Sequence, residues 1–111
     1  MISLVLPDKL LSLYFDRMIG KLFKILPMKE GNEDTLPNYM SDLLDEMIGL
    51  ETLELLSDQP YYVSIVATVS YLNGYIDACS SAKVKSRVFK AIGLCRRLRD
   101  LYGGGEADGK S

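Results

Sequence analysis

Apolar residues return at Leu11, Phe15, Met18, Leu22 and Ile25, in alternating steps of four and three. That spacing holds them on one face of a helix, entered near Pro7-Asp8 and stopped by Pro27, whose ring and missing N–H oppose helix continuation. From Met28 to Asp34 the chain mixes charges with Gly31-Asn32 and has no apolar period, which suits an exposed loop. Thr35 is placed to cap a second helix, with Pro37 tolerated in its first turn. Leu36, Tyr39, Met40, Leu43, Leu44, Met47 and Ile48 form its apolar face, and Gly49 predicts a break before a further turn through Leu56.

The segment Ser57-Asp58-Gln59-Pro60 is a restart signal, a capping side chain followed by a first-turn proline. A third helix then runs to about Cys79, with Tyr62, Ile65, Val69, Leu72, Ile76 and Cys79 on its seam. Val63, Ile65, Val66 and Val69 would equally suit a strand, but the length and the three-four repeat favour a helix. Ser80 or Ser81 can cap a fourth helix whose seam is Val84, Val88, Ala91, Cys95, Leu98 and Tyr102. Gly103-Gly104-Gly105 ends it, and residues 106–111 read as a disordered polar tail. The prediction is a single all-α domain over residues 1–105, a small antiparallel bundle of about four helices.

Composition narrows the chemistry. A chain of 111 residues has room for one core, and its zero histidines remove catalytic triads, HExxH sites and Cys/His zinc sites. No glycine pattern of the dinucleotide-binding kind occurs, so neither an enzyme, a metal nor any other cofactor is expected. The most apolar window, Tyr61 to Ile76, contains Ser64, Thr68, Ser70 and Asn73 and falls short of the roughly 20 residues that span a bilayer. It reads as a buried helix rather than a membrane segment. Cys79 and Cys95 allow at most one bridge, and no N-terminal leader pattern is seen, so a cytoplasmic protein is expected. Both cysteines fall on seams, where a thiol acts as a small apolar group, although Arg96 and Arg99 beside Cys95 could activate it if it were exposed.

The net charge of −2 conceals a segregation. From Glu30 to Asp77 the chain holds ten acidic residues and no Lys or Arg, whereas Lys83 to Arg99 holds seven bases and no acid. At 100° per residue Lys83, Arg87, Lys90 and Arg97 fall on one flank of the fourth seam and Lys85, Arg96 and Arg99 on the other. Bases in that position border a helix contact, and pairing with the acidic middle of the same chain or of a second copy is the first expectation. The row Lys83, Lys90, Arg97, spaced by seven, also offers a line of cations to phosphates, so a nucleic-acid-binding accessory is the alternative.

Three further groups are candidates. Tyr61, Ser64, Thr68, Tyr71 and Tyr75 gather opposite the third seam, and a helix apolar nearly all round needs a second covering surface, in the same chain or in a partner subunit. A homodimer or another protein partner through this face is expected. Asn73 and Asp77, nearer the seam, could pair with the fourth helix. Asp42, Asp45, Glu46, Glu51 and Glu54 could hold Mg²⁺ as in all-α nucleotide pyrophosphohydrolases, but the third helix lacks the matching acidic pair. A solvated acidic face is the simpler reading.

KLFKILPMKE at Lys21 to Glu30, LPNYMSDLLDEMIGL at Leu36 to Leu50 and KSRVFKAIGLCRRL at Lys85 to Leu98 resemble small helical proteins of phages and integrated elements in Gram-positive bacteria. The resemblance covers most of the chain and carries no functional residue. It implies a bacterial, phage-related origin and an accessory or partner-binding role.

Overall fold

A computed structural model describes the backbone of residues 8–51 and 54–110, with side chains between residues 9 and 103 except 52–55. Its elements are α1 (Asp8–Phe23), α2 (Ile25–Glu30), α3 (Leu36–Leu50), α4 (Glu54–Ser57), α5 (Pro60–Tyr75) and α6 (Ser81–Lys110), with no strand among the described residues. The all-α prediction holds, and Pro7 and the Glu54 side chain lie outside this description.

Pro27 ends the first helix one turn before its own position. Its ring opposes the Phe23 carbonyl four residues back, so the helix breaks at Lys24 and restarts with Pro27 in the first turn of α2, where its missing N–H is no loss. Backbone bonds from Lys24 N–H to Gly20 and from Met28 N–H to Lys24 carry the chain across the break. The loop therefore begins at Gly31 rather than Met28. It opens with a Schellman motif: Asn32, at φ 53°, donates its N–H to Lys29, and Glu33 donates to Met28, at 3.1 Å each.

Other boundaries shift for equally local reasons. Thr35 occupies the position before α3 but makes no side-chain capping bond. Gly49 stays inside α3, and the interruption comes at Glu51. The restart before α5 is as expected, with Pro60 in the first turn and the Gln59 side chain accepting from Tyr61 N–H at 3.0 Å. α5 ends at Tyr75, short of Cys79, yet Ala78 and Cys79 still donate to the Tyr75 carbonyl and keep Ile76 and Cys79 buried. Ser80 caps α6 by accepting from Lys83 N–H.

Helical backbone in α6 continues through Gly103, the first glycine of the run where the pattern ends the helix. Each glycine costs about 1 kcal/mol against alanine in a helix, so local preference does not explain this extension. Packing explains the first glycine: a Cβ on Gly103 would overlap Ser12 Oγ and lie 2.8 Å from Ser12 Cβ. Ser12 in turn donates to the Arg99 carbonyl at 3.0 Å.

All four seams meet in one core. Leu11, Phe15, Leu22, Ile25, Met40, Met47, Tyr62, Ile65, Val69, Leu72, Val84, Val88, Ala91, Cys95 and Leu98 are fully buried. At its centre the Phe15 ring meets Tyr14 and Tyr62 edge-on at 5.4 and 5.9 Å and stacks on Tyr102 at 6.1 Å. Contacts run in opposite order along α1 and α6, Ser12 and Asp16 with Arg99 and Phe23 with Phe89, so these two helices are antiparallel. Tyr61 with Arg97 and Tyr71 with Lys83 give the same relation for α5 and α6. α3 packs mainly on α5.

Polar groups stitch the edges. Lys21 pairs with Glu46 at 2.8 Å, Tyr39 donates to the Lys21 carbonyl, and buried Tyr62 donates to the Met47 carbonyl at 2.5 Å. Lys29 donates to the Ile76 carbonyl at 2.7 Å, placing an ammonium at the partly negative C-terminal end of α5. The buried Tyr14 hydroxyl lies beside the Glu46 carboxylate but reaches no acceptor with good hydrogen-bond geometry among the described residues. Because an unpartnered buried hydroxyl is a net cost, Tyr14→Phe is expected to be neutral or to stabilise by up to about 1 kcal/mol. A urea midpoint that falls by more than that equivalent would show that the hydroxyl has a partner in solution.

Candidate functional site

The helices that carry the tyrosine group and the basic row are neighbours, and together they form one face. Tyr61 lies beside Arg97, with the guanidinium 5.7 Å from the ring centre. Tyr71 sits beneath both Arg87, at 4.8 Å, and Lys83, at 5.7 Å, and its ring tilts against Tyr75 at 5.1 Å. These are cation–π distances, and they hold the long basic side chains along the rings.

The five residues of the tyrosine group do not form one open surface. Thr68 is buried and donates to the Ser64 carbonyl one turn back. Tyr71 is half-buried, while Tyr61, Ser64 and Tyr75 are exposed, Tyr75 by 57%. The reason is the side of α5 on which α6 packs. A rotation angle places all five opposite the seam, but α6 approaches from the Thr68 side and covers part of the group.

Lys83, Lys90 and Arg97 are exposed, as the spacing predicts. Pairing of the fourth-helix bases with the acidic middle of the same chain is not what the structure holds. Among the described residues, Lys83, Lys85, Arg87, Lys90, Arg96 and Arg97 make no ion pair, and Arg99 pairs with Asp16 at 3.1 Å and Asp100 at 3.4 Å. Among the described residues of the acidic segment only Glu46 is in an ion pair, and its partner Lys21 comes from α1. Among the described residues neither Asn73 nor Asp77 bonds to α6, and Asp77 instead lines an open cleft with Lys29, Glu33 and Asp34. α3 lies against α5, which leaves its acids remote from the basic row.

α5 has a second exposed strip that the tyrosine group does not include. Val63, Ala67, Ser70 and Gly74 are all exposed, and Ile48 of α3, expected on a seam, is 47% exposed. Across Pro60–Tyr75 there is no charged residue. The signal for this strip was present in the sequence as that absence of charge.

The acidic candidates do not come together. Asp42 and Asp45 are exposed, Glu46 is engaged by Lys21, and among the described residues no group of three or more His, Cys, Asp or Glu side chains could hold a metal ion. Cys79 and Cys95 are separate buried free thiols, and burial pushes the Cys95 thiol up to about 12, away from reactivity despite its arginine neighbours. No helix among the described residues is long and apolar enough to cross a membrane. In comparisons with known proteins, no family model, no curated protein and no solved structure matches this chain.

Proposed function

We propose that this chain is a non-enzymatic interaction module that associates with protein, and first with copies of itself, through α5. The observation that carries the reading is a 16-residue helix without one charged side chain that still exposes Val63, Ala67, Ser70 and Gly74. A surface helix ordinarily turns a charged face to water, and the cores of protein contacts are the surfaces depleted in charge. A core built from short helices is also small, so apolar burial between subunits adds what a chain of this size lacks.

The strip around Val63 is the contact we assign, since the tyrosine side is partly covered by α6. Val63→Glu places a carboxylate at its centre on a residue 44% exposed, where the monomer tolerates it. The dimer dissociation constant is expected to rise at least about tenfold, the equivalent of about 1.4 kcal/mol. Sedimentation of both proteins at micromolar concentration reads this directly. Equal association of the two proteins would move the contact elsewhere, and a wild-type chain that stays monomeric at all accessible concentrations would end the self-association reading. We place the module in the bacterial cytoplasm, where buried free thiols persist, and the resemblance to phage-related proteins is in keeping with an accessory role.

A further inference from the structure

The other face of α5 has a different character. Beside its tyrosines run Lys83, Arg87, Lys90 and Arg97, none with an acidic partner among the described residues, in a protein whose total charge is −2. α5 itself contributes no charge to offset them. Two such faces repel each other, so this surface is not the one that joins copies of the chain.

We propose that the α5–α6 face binds single-stranded nucleic acid. Lys83, Lys90 and Arg97 are seven residues apart on one helix and make a straight row about 21 Å long, suited to a few consecutive phosphates. Next to that row the rings are spread along its length, Tyr61 at the Arg97 end and Tyr71 with Tyr75 at the Lys83 end. Cationic side chains that follow the backbone, with aromatic rings on which bases stack, are the two parts of a sequence-tolerant single-strand surface.

The rings also discriminate between ligands. A duplex keeps its bases stacked on one another and gives Tyr75 nothing to receive, while an acidic peptide meets the cations but has no flat ring to lay on tyrosine. Tyr75, the most exposed of these rings, is the stacking residue, and Lys90 and Arg97 are the phosphate contacts.

Fluorescence anisotropy with a labelled oligothymidylate of about 12 nucleotides tests this, against a duplex of equal length and polyglutamate as competitors. At about 50 mM salt the single strand is expected to bind in the micromolar range, with log affinity falling against log salt with a slope near −2 for about three phosphates. Lys90→Glu with Arg97→Glu should lose at least tenfold and flatten that slope. Tyr75→Ala should lose about tenfold and leave the slope unchanged. Val63→Glu should bind as the wild type does, which separates this surface from the self-association strip, and circular dichroism confirms that each variant is folded. No binding at low salt overturns the proposal, as does a Tyr75→Ala variant of undiminished affinity or equal competition by duplex or polyglutamate.

Discussion

Replacing Phe15 by alanine is expected to lower the stability of the fold by about 3–5 kcal/mol, the range for removing a fully buried phenylalanine. The residue is completely buried, and it is the ring on which three others converge: Tyr14, Tyr62 and Tyr102, drawn from α1, α5 and α6. Its loss removes apolar burial and leaves a void walled by three rigid rings, which cannot collapse as aliphatic chains can. Against a total of about 5–15 kcal/mol for a domain, such a change removes a large share of the stability. Urea denaturation followed by circular dichroism gives the number. Leu13→Ala, two residues away but 55% exposed, is the internal comparison and should shift stability by no more than about 0.5 kcal/mol. A Phe15→Ala loss no greater than that of Leu13→Ala would mean that the ring cluster is not the centre of the core.

Alkaline pH is expected to unfold the protein well before its surface groups would require it. Burial pushes the Cys95 thiol up to about 12, and it raises the Tyr62 phenol, with the Glu51 carboxylate adding to the effect. Tyr14 moves the same way, through burial first and then its neighbours Tyr62 and Glu46. All three are held neutral in the folded chain. In the unfolded chain a thiol ionises near pH 8.5 and a phenol near 10, so above those values the unfolded state releases protons that the folded state keeps. The stabilisation is fully present below about pH 8.5 and is lost as pH rises towards the folded values, at about 1.4 kcal/mol per pH unit for each group. By pH 11 Cys95 and Tyr62, both fully buried, together account for a loss of roughly 5 kcal/mol. Urea midpoints measured from pH 7 to 11 should fall progressively above pH 9, and Cys95→Ala should make that fall shallower. Constant midpoints to pH 11 would show that these groups reach water without unfolding.

Much of this architecture was legible because helical burial is periodic. Each residue of the first, third and fourth seams through Leu98 lies in the core, and both Gln59-Pro60 and Ser80 start helices where a cap and a first-turn proline say they should. What escaped depends on meetings between distant segments. Pro27 reads as a terminator, and it is one, but a new helix begins two residues before it. Lys29 is an ordinary loop-side base until the end of α5 is placed beside it. Gly103 reads as a stop, since nothing local reveals that Ser12 occupies the space of its missing side chain.

The candidate surface was legible by composition and not by layout. Sign segregation along the chain was correct as a pattern, yet opposite charges close in sequence need not face each other. α5 stands between the acids of α3 and the bases of α6, and among the described acids of the middle segment only Glu46 finds a base, on α1. The tyrosine group was likewise real as a set of angles, but which members a neighbouring helix covers depends on the side from which it packs.

The pairing of α1 with α6 has a consequence for how the chain acquires its shape. Ser12 bonds to Arg99 across 87 residues, and Phe15 stacks on Tyr102. During synthesis the apolar stripe of α1 therefore emerges long before the surface that covers it, and the slow closure of so long a loop must precede much of the core. Leu11, Phe15, Met18 and Leu22 wait in water, or against a chaperone, until the last helix arrives.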